Sequence, residues 1–223
     1  MDYKEVKQKL KKEFTTLLKP KGFKSKADHQ GCSFFCEKDK LILNFGYGVE
    51  NYIDEFKTGV FGSVCFKEIA STKKIALNQE GLSATVMLQK DDYFQDINYR
   101  FVIKTDDDIA EWMKIVADFY SKVAEPFYNK YSTVADIDIL LNSDPSKRVP
   151  ELNDLGGHII TGLISAKLND NPNYGELKAY YEKEVDAKFQ GHFLYDNCKQ
   201  VINYLDNHSI EELNEITKST PPS

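Results

Sequence analysis

The chain has 223 residues, 41% of them apolar and 13% aromatic. That is enough apolar side chain to build a packed core, so wholesale disorder is excluded, and the length suits one domain or two small ones. The net charge of −6 argues against nucleic acid as a partner, because duplex binding requires cations to neutralise phosphates.

No segment approaches the roughly 18 consecutive apolar residues of a membrane span, so no membrane partner is expected. The first residues, MDYKEVKQKLKKEF, lack the apolar region of a secretory signal. A cytoplasmic location is the expectation. Reduced thiols then follow for Cys32, Cys36, Cys65 and Cys198.

The first predicted element is an amphipathic helix over residues 2–18. Tyr3, Val6, Leu10, Phe14 and Leu17 recur at three- and four-residue spacing and give one apolar stripe. Asp2 and Glu5 have the spacing of a capping box, and Pro20 and Gly22 close the helix.

From about residue 31 to 103 the apolar period becomes two. The alternating sets are Cys32, Phe34 and Cys36, then Leu41 to Val49, then Val60 to Phe66, then Leu82 to Leu88, then Ile97 to Ile103. Turn-rich joins between them predict an antiparallel meander of about five strands. In the 41–49 strand one face is apolar and the other carries Asn44, Gly46 and Gly48. One buried face and one partly open face are expected there.

Thr105 then begins a helix over 106–128, with Asp106, Asp107 and Asp108 in its first turn, where carboxylates suit the helix dipole. Ile109, Trp112, Met113, Val116, Phe119, Tyr120, Val123 and Phe127 trace a broad apolar face suited to packing on the sheet. Further helical patterns cover about 133–142, 155–168, 173–190, 192–206 and 209–217. The fold class is therefore α+β, with an N-terminal helix, an antiparallel sheet of about five strands and a helical C-terminal half. The expected organisation is a helix-plus-meander part with its packing helix over 1–145, a helical extension over 146–217 on the same core, and a disordered tail over 218–223.

No catalytic signature stands out, so the chain leans away from enzymes. His29, Cys32 and Cys36 resemble a metal half-site. On a strand, however, positions 32 and 36 lie roughly 13 Å apart, while zinc–sulfur bonds are about 2.3 Å long. No metal and no cofactor are expected. Gly46-x-Gly48 resembles the start of a dinucleotide fingerprint, but Asn51 and a following strand break it. The sequence contains no GxSxG elbow, P-loop or HExxH motif.

Charge is unevenly spread. Residues 1–26 hold nine lysines and three acids, a net of +6, so the remainder carries −12. Some aromatics fall in acid-flanked loops, which suits a protein-binding surface. The candidate partner-binding residues are Tyr52, Asp54, Glu55, Phe56, Asp91, Asp92, Tyr93, Phe94 and Asp96. The alternative is a small-ligand or enzyme pocket between the sheet and the 106–128 helix, lined by Tyr47, Tyr99 and Trp112.

Phe14-x-x-Leu17-Leu18-Lys19-Pro20-x-Gly22-Phe23-Lys24, followed by Phe34-Phe35 and a strand-rich segment, resembles a bacterial family called Domain of Unknown Function forty-three-zero-four. Trp112 and then Phe127-Tyr128-x-x-Tyr131-Ser132-Thr133 resemble that family's closing helix and the join after it. The resemblance covers about residues 10–140, and beyond residue 145 this chain has additional helices. It implies the same helix-then-meander order and brings no catalytic residues. Some similar small acidic bacterial proteins are thought to be immunity proteins. The expected function is a non-catalytic, immunity-like binding module for a basic toxin or effector.

Overall fold

A computed structural model describes residues 1–219 except Asp28, Asp54, 90–92, 95–99 and 153–154; for 216–219 it describes the backbone alone. The chain divides into two compact units. The first comprises Met1–Val64 with Met87–Lys130, and the second comprises Cys65–Val86 with Tyr131–Ser223.

In the first unit, helix α1 (Tyr3–Leu18) starts where the Asp2 carboxylate accepts from the Glu5 backbone N–H at 2.7 Å. The Glu5 side chain turns away to Lys9 instead of closing the capping box. Val6, Leu10, Phe14 and Leu18 are buried. A short 3₁₀ turn and Gly22, at φ 88°, then reverse the chain. Glycine holds that left-handed conformation at little cost.

The sheet contains β1 (Lys24–Ala27), β2 (Gly31–Glu37), β3 (Leu41–Asn51), β4 (Phe56–Phe66), β5 (Val86–Met87) and β6 (Phe101–Ile103). Its order is β1-β2-β3-β4-β5, and β6 also pairs with β4. β1, β2 and β3 pair antiparallel, with Ser25 opposite Phe34 and Phe34 opposite Phe45. Cys32, Phe34, Leu43, Phe45, Tyr47 and Val49 are buried on one face. Phe14 of α1 lies 4.5 Å from the Tyr47 ring and 6.0 Å from Phe34, so α1 covers this face. The opposite face of β3 is only half buried at Ile42, Asn44 and Gly48.

Helix α3 (Asp106–Phe119) opens with a complete capping box between Thr105 and Asp108. It passes through one π turn, Tyr120–Ala124, into α4 (Glu125–Lys130). The inserted residue rotates the apolar stripe. Past Tyr120 the buried positions are therefore Ala124 and Tyr128, while Val123 and Phe127 are half buried. The Tyr128 hydroxyl donates to the Asn44 carbonyl at 2.6 Å, which ties α4 to β3.

The second unit is helical. It contains α2 (Lys67–Ala76), α5 (Val134–Asn142), α6 (Leu155–Leu168), α7 (Tyr174–Lys188), α8 (Phe193–Asp206) and α9 (Ile210–Ser219). α6 is buried nearly all round, from His158 through Ala166, so it forms the centre of this unit. α2, α5, α7, α8 and α9 all pack against it.

The α+β order of helix, antiparallel sheet and helices is therefore present. Three details differ from the sequence reading. Residues 67–76 form a helix, which buries Ile69, Thr72 and Ala76 at helical spacing together with Ala70 and Ser71. The expected 82–88 strand contracts to Val86–Met87. β1 lacks any apolar alternation, since all four residues are exposed, and it is a strand through its pairing with β2. In the expected 97–103 strand, residues 101–103 form β6 and 97–99 lie outside the described residues. The helix over 209–217 extends to Ser219, so 218 and 219 are helical, and 220–223 lie outside the described residues.

Candidate functional site

The half-open face of the sheet carries a groove of about 390 Å³ at the β3–β4 hairpin end. Gly48 and Gly59 line its floor together with Val49, Thr58 and Val60. A Cβ added at Gly48 would meet nothing within 4 Å, so the floor is open space. At Gly46 a Cβ would lie 2.6 Å from the Phe61 ring, so that ring lies across the glycine and walls the groove. Glycine inside a strand marks a place where another backbone or a ligand approaches closely.

The rim is polar, with Gln30, Glu50, Lys57 and Arg100. Arg100 pairs with the Glu50 carboxylate. The Tyr52 hydroxyl donates to Glu50 at 3.0 Å and accepts from Arg100 at 3.2 Å. Lys57 lies 4.3 Å from the centre of the Tyr52 ring and 3.3 Å from Glu55. Glu55 also faces Lys104 at 3.6 Å. Both signs of charge alternate around the opening, each close to its opposite. Beside it, Ile53 is 100% exposed and Tyr52 is 42% exposed.

The structure separates the sequence candidates. Tyr52, Glu55 and Phe56 fall at this hairpin. Phe56 is half buried and its ring lies 6.2 Å from that of Tyr3. Tyr93 and Phe94 turn inward. Phe94 is 6% exposed and packs 4.9 Å from Phe119. The Tyr93 ring lies 5.1 Å from Phe119, and its hydroxyl donates to Asp118. Burial and the Asp118 carboxylate push the Tyr93 hydroxyl up to about 12. Phe94 is thus a core residue and not a surface contact, because α3 presents Trp112 and Phe119 that need covering. Asp54, Asp91, Asp92 and Asp96 lie outside the described residues.

Tyr47 and Trp112 of the alternative pocket are each 1% exposed. The Tyr47 hydroxyl donates to the Lys7 carbonyl at 3.1 Å, and Trp112 stacks on Phe101 at 5.1 Å. Both are packed core side chains. Tyr99 lies outside the described residues. Ile53, Phe61, Gly59 and Arg100 were missed by the sequence reading. The signal for the groove was present, since Gly48 and Gly59 interrupt otherwise β-forming strands.

The second unit holds a buried polar cluster. Asp138 is 3% exposed and accepts from the amides of Asn142, Asn169 and Asn171 at 2.6, 2.7 and 2.8 Å. The Tyr181 hydroxyl donates to Asn142 at 2.8 Å. These groups are mutually satisfied and leave no acid or base poised toward solvent, so they read as a structural network.

Nearby, His158 is 3% exposed and its Nε2 has no partner among the described residues. Burial lowers its pKa below the ordinary 6.5, opposed by the hydrogen bond the ring donates to the Leu141 backbone and aided by the Arg148 charge. The unfolded chain therefore takes up this proton first. The stability contributed by neutral His158 is complete above about pH 6.5 and falls as pH drops below it. Urea unfolding between pH 7.5 and 5 is expected to show that loss, and His158→Phe is expected to flatten it. Equal slopes in both proteins would refute the assignment.

All four cysteines are free and buried, and burial pushes the Cys65 thiol up to about 11. Among the described residues, no group of three or more His, Cys, Asp or Glu side chains could hold a metal ion. No described helix is long and apolar enough to cross a membrane. No protein-family model, curated protein or solved structure matches this chain.

Proposed function

We propose that the chain is a non-catalytic, immunity-like binding module of the bacterial cytoplasm, which neutralises a basic toxin or effector by covering its surface. The carrying observation is the hairpin tip, where fully exposed Ile53 follows Tyr52 in the chain and the Tyr52 hydroxyl bonds Glu50 and Arg100 on the rim of the glycine-floored groove. An aliphatic and an aromatic anchor next to a groove suit a protein interface, where a few such side chains carry most of the energy. The −12 balance after residue 26 supports a basic partner, since complementary charge speeds encounter. The family resemblance over residues 10–140 brings no catalytic residue and accords with a binding role.

The test is affinity capture from the native bacterium with the tagged full chain, at low and moderate salt. The wild type is expected to retain a stoichiometric basic protein more strongly at low salt. Tyr52→Ala/Ile53→Asp is expected to lose it while unfolding within about 0.5 kcal/mol of wild type, as exposed substitutions do. Equal capture by both proteins would place the interface elsewhere.

The groove volume favours one second reading. About 390 Å³ lies within the range of roughly 300–1,000 Å³ typical of small-molecule sites. On that reading the groove, and not the core around Tyr47 and Trp112, takes the ligand. Failure to capture any protein at either salt would support it.

A further inference from the structure

We propose that the free edge of β1 is a docking site for an acidic polypeptide segment, which adds to the sheet as a further strand. β1 ends the sheet order, so its outer edge pairs with no described strand, and all four of its residues are exposed. An open edge offers unpaired backbone donors and acceptors to an incoming strand.

The charged side chains of β1 itself are both lysines, and the helix that packs on its covered face is rich in lysine. Residues directly opposite in an antiparallel pair share a face. Ser25 and Ala27 stand opposite buried Phe34 and Cys32, so they share the face that α1 covers. Lys24 and Lys26 stand opposite Phe35 and Ser33 and share the half-open face. On the covered side, α1 packs against β1 and β2 and turns Lys4, Lys11 and Lys12 to solvent, with Lys19 just past its end. None of these six lysines forms an ion pair among the described residues. The other nearby lysines differ: Lys9 pairs with Glu5 and Asp106, and Lys21 with Glu125.

This arrangement selects its occupant. Side chains of an added strand alternate between faces, and on either face of β1 they meet lysines. A second copy of β1 would bring its own lysines to the same edge, and like charge would repel it. An RNA ligand is disfavoured because the chain has no arginine before Arg100, and planar two-point recognition of phosphate favours arginine. A lipid surface is disfavoured because the apolar stripe of α1 is buried in the core. A strand carrying carboxylates on both faces fits all of these conditions. The inference does not depend on the hairpin-tip interface.

The test is fluorescence anisotropy on the full chain with a labelled peptide alternating Glu and Thr. Two further versions of the peptide are N-methylated on one or the other set of alternate residues. Strand addition predicts that one methylated version loses binding, because its methyls face β1, and that the other retains it. Lys24→Glu/Lys26→Glu is expected to weaken binding about tenfold or more. Lys11→Gln/Lys12→Gln, remote from the strand backbone, is expected to weaken it less. Circular dichroism would confirm that both variants fold. Four results would overturn the proposal: no binding of the unmethylated peptide, equal binding of both methylated peptides, indifference to both lysine variants, or binding of poly(U) or phosphatidylserine vesicles in its place.

Discussion

Trp112→Ala is expected to destabilise the first unit by about 3–5 kcal/mol, the usual cost of deleting a buried indole. Trp112 is 1% exposed on α3. It stacks on Phe101 at 5.1 Å and lies 6.2 Å from Phe94. Alanine would leave a cavity bordered by these rings, which belong to β6 and the segment before it. Trp112→Phe should cost much less. It keeps most of the ring packing and removes an indole N–H that has no partner among the described residues. Denaturant unfolding of both variants checks this. Equal losses would mean that Trp112 matters for something other than its volume.

Asp138→Ala is expected to cost the second unit about 1–3 kcal/mol. The buried carboxylate serves three amide donors from two segments of chain, Asn142 on α5 and Asn169 and Asn171 in the turn after α6. Its removal takes one of two acceptors from the buried Asn142 amide, which keeps the Gly162 carbonyl at 2.9 Å, and unties the half-buried Asn171 and exposed Asn169 amides, which water can reach. Asp138→Asn should fall between alanine and wild type. Its oxygen can still accept, while its own amide must face a donor. Unfolding free energies for the three proteins test this order. A near-neutral alanine variant would show that the Gly162 carbonyl alone satisfies the buried Asn142 amide.

Much of the architecture was legible because single faces carry it. The α1 stripe of Val6, Leu10 and Phe14 is buried as its spacing predicts. The β3 alternation predicts one closed and one half-open face, and both are present. α6 is expected over 155–168 and occupies those residues. The failures share a different cause. β1 is polar and exposed, so only its pairing with β2 makes it a strand. α2 buries Ser71 and Thr72 alongside Ile69, which blurs the helical apolar pattern. Phe94 has acidic neighbours in sequence but is buried, because Phe119 and Trp112 supply its surroundings from α3.

The groove is the least legible part. The sequence reading names Tyr52, Glu55 and Phe56, and the structure places them where β3 turns into β4. The rim depends on Arg100, which reaches Glu50 across 50 positions of sequence. No local pattern announces that pair. The two strand glycines were the available sign, and their meaning lies in what is absent above them.

The most direct test of the central claim is Gly48→Val. Nothing lies within 4 Å of the added Cβ, and valine suits a strand. The fold should therefore hold to within about 1 kcal/mol, while the branched side chain fills the groove floor. The account predicts that this variant unfolds like the wild type and no longer retains the partner captured by the wild type. A folded Gly48→Val protein that captures the same partner with undiminished affinity would contradict it.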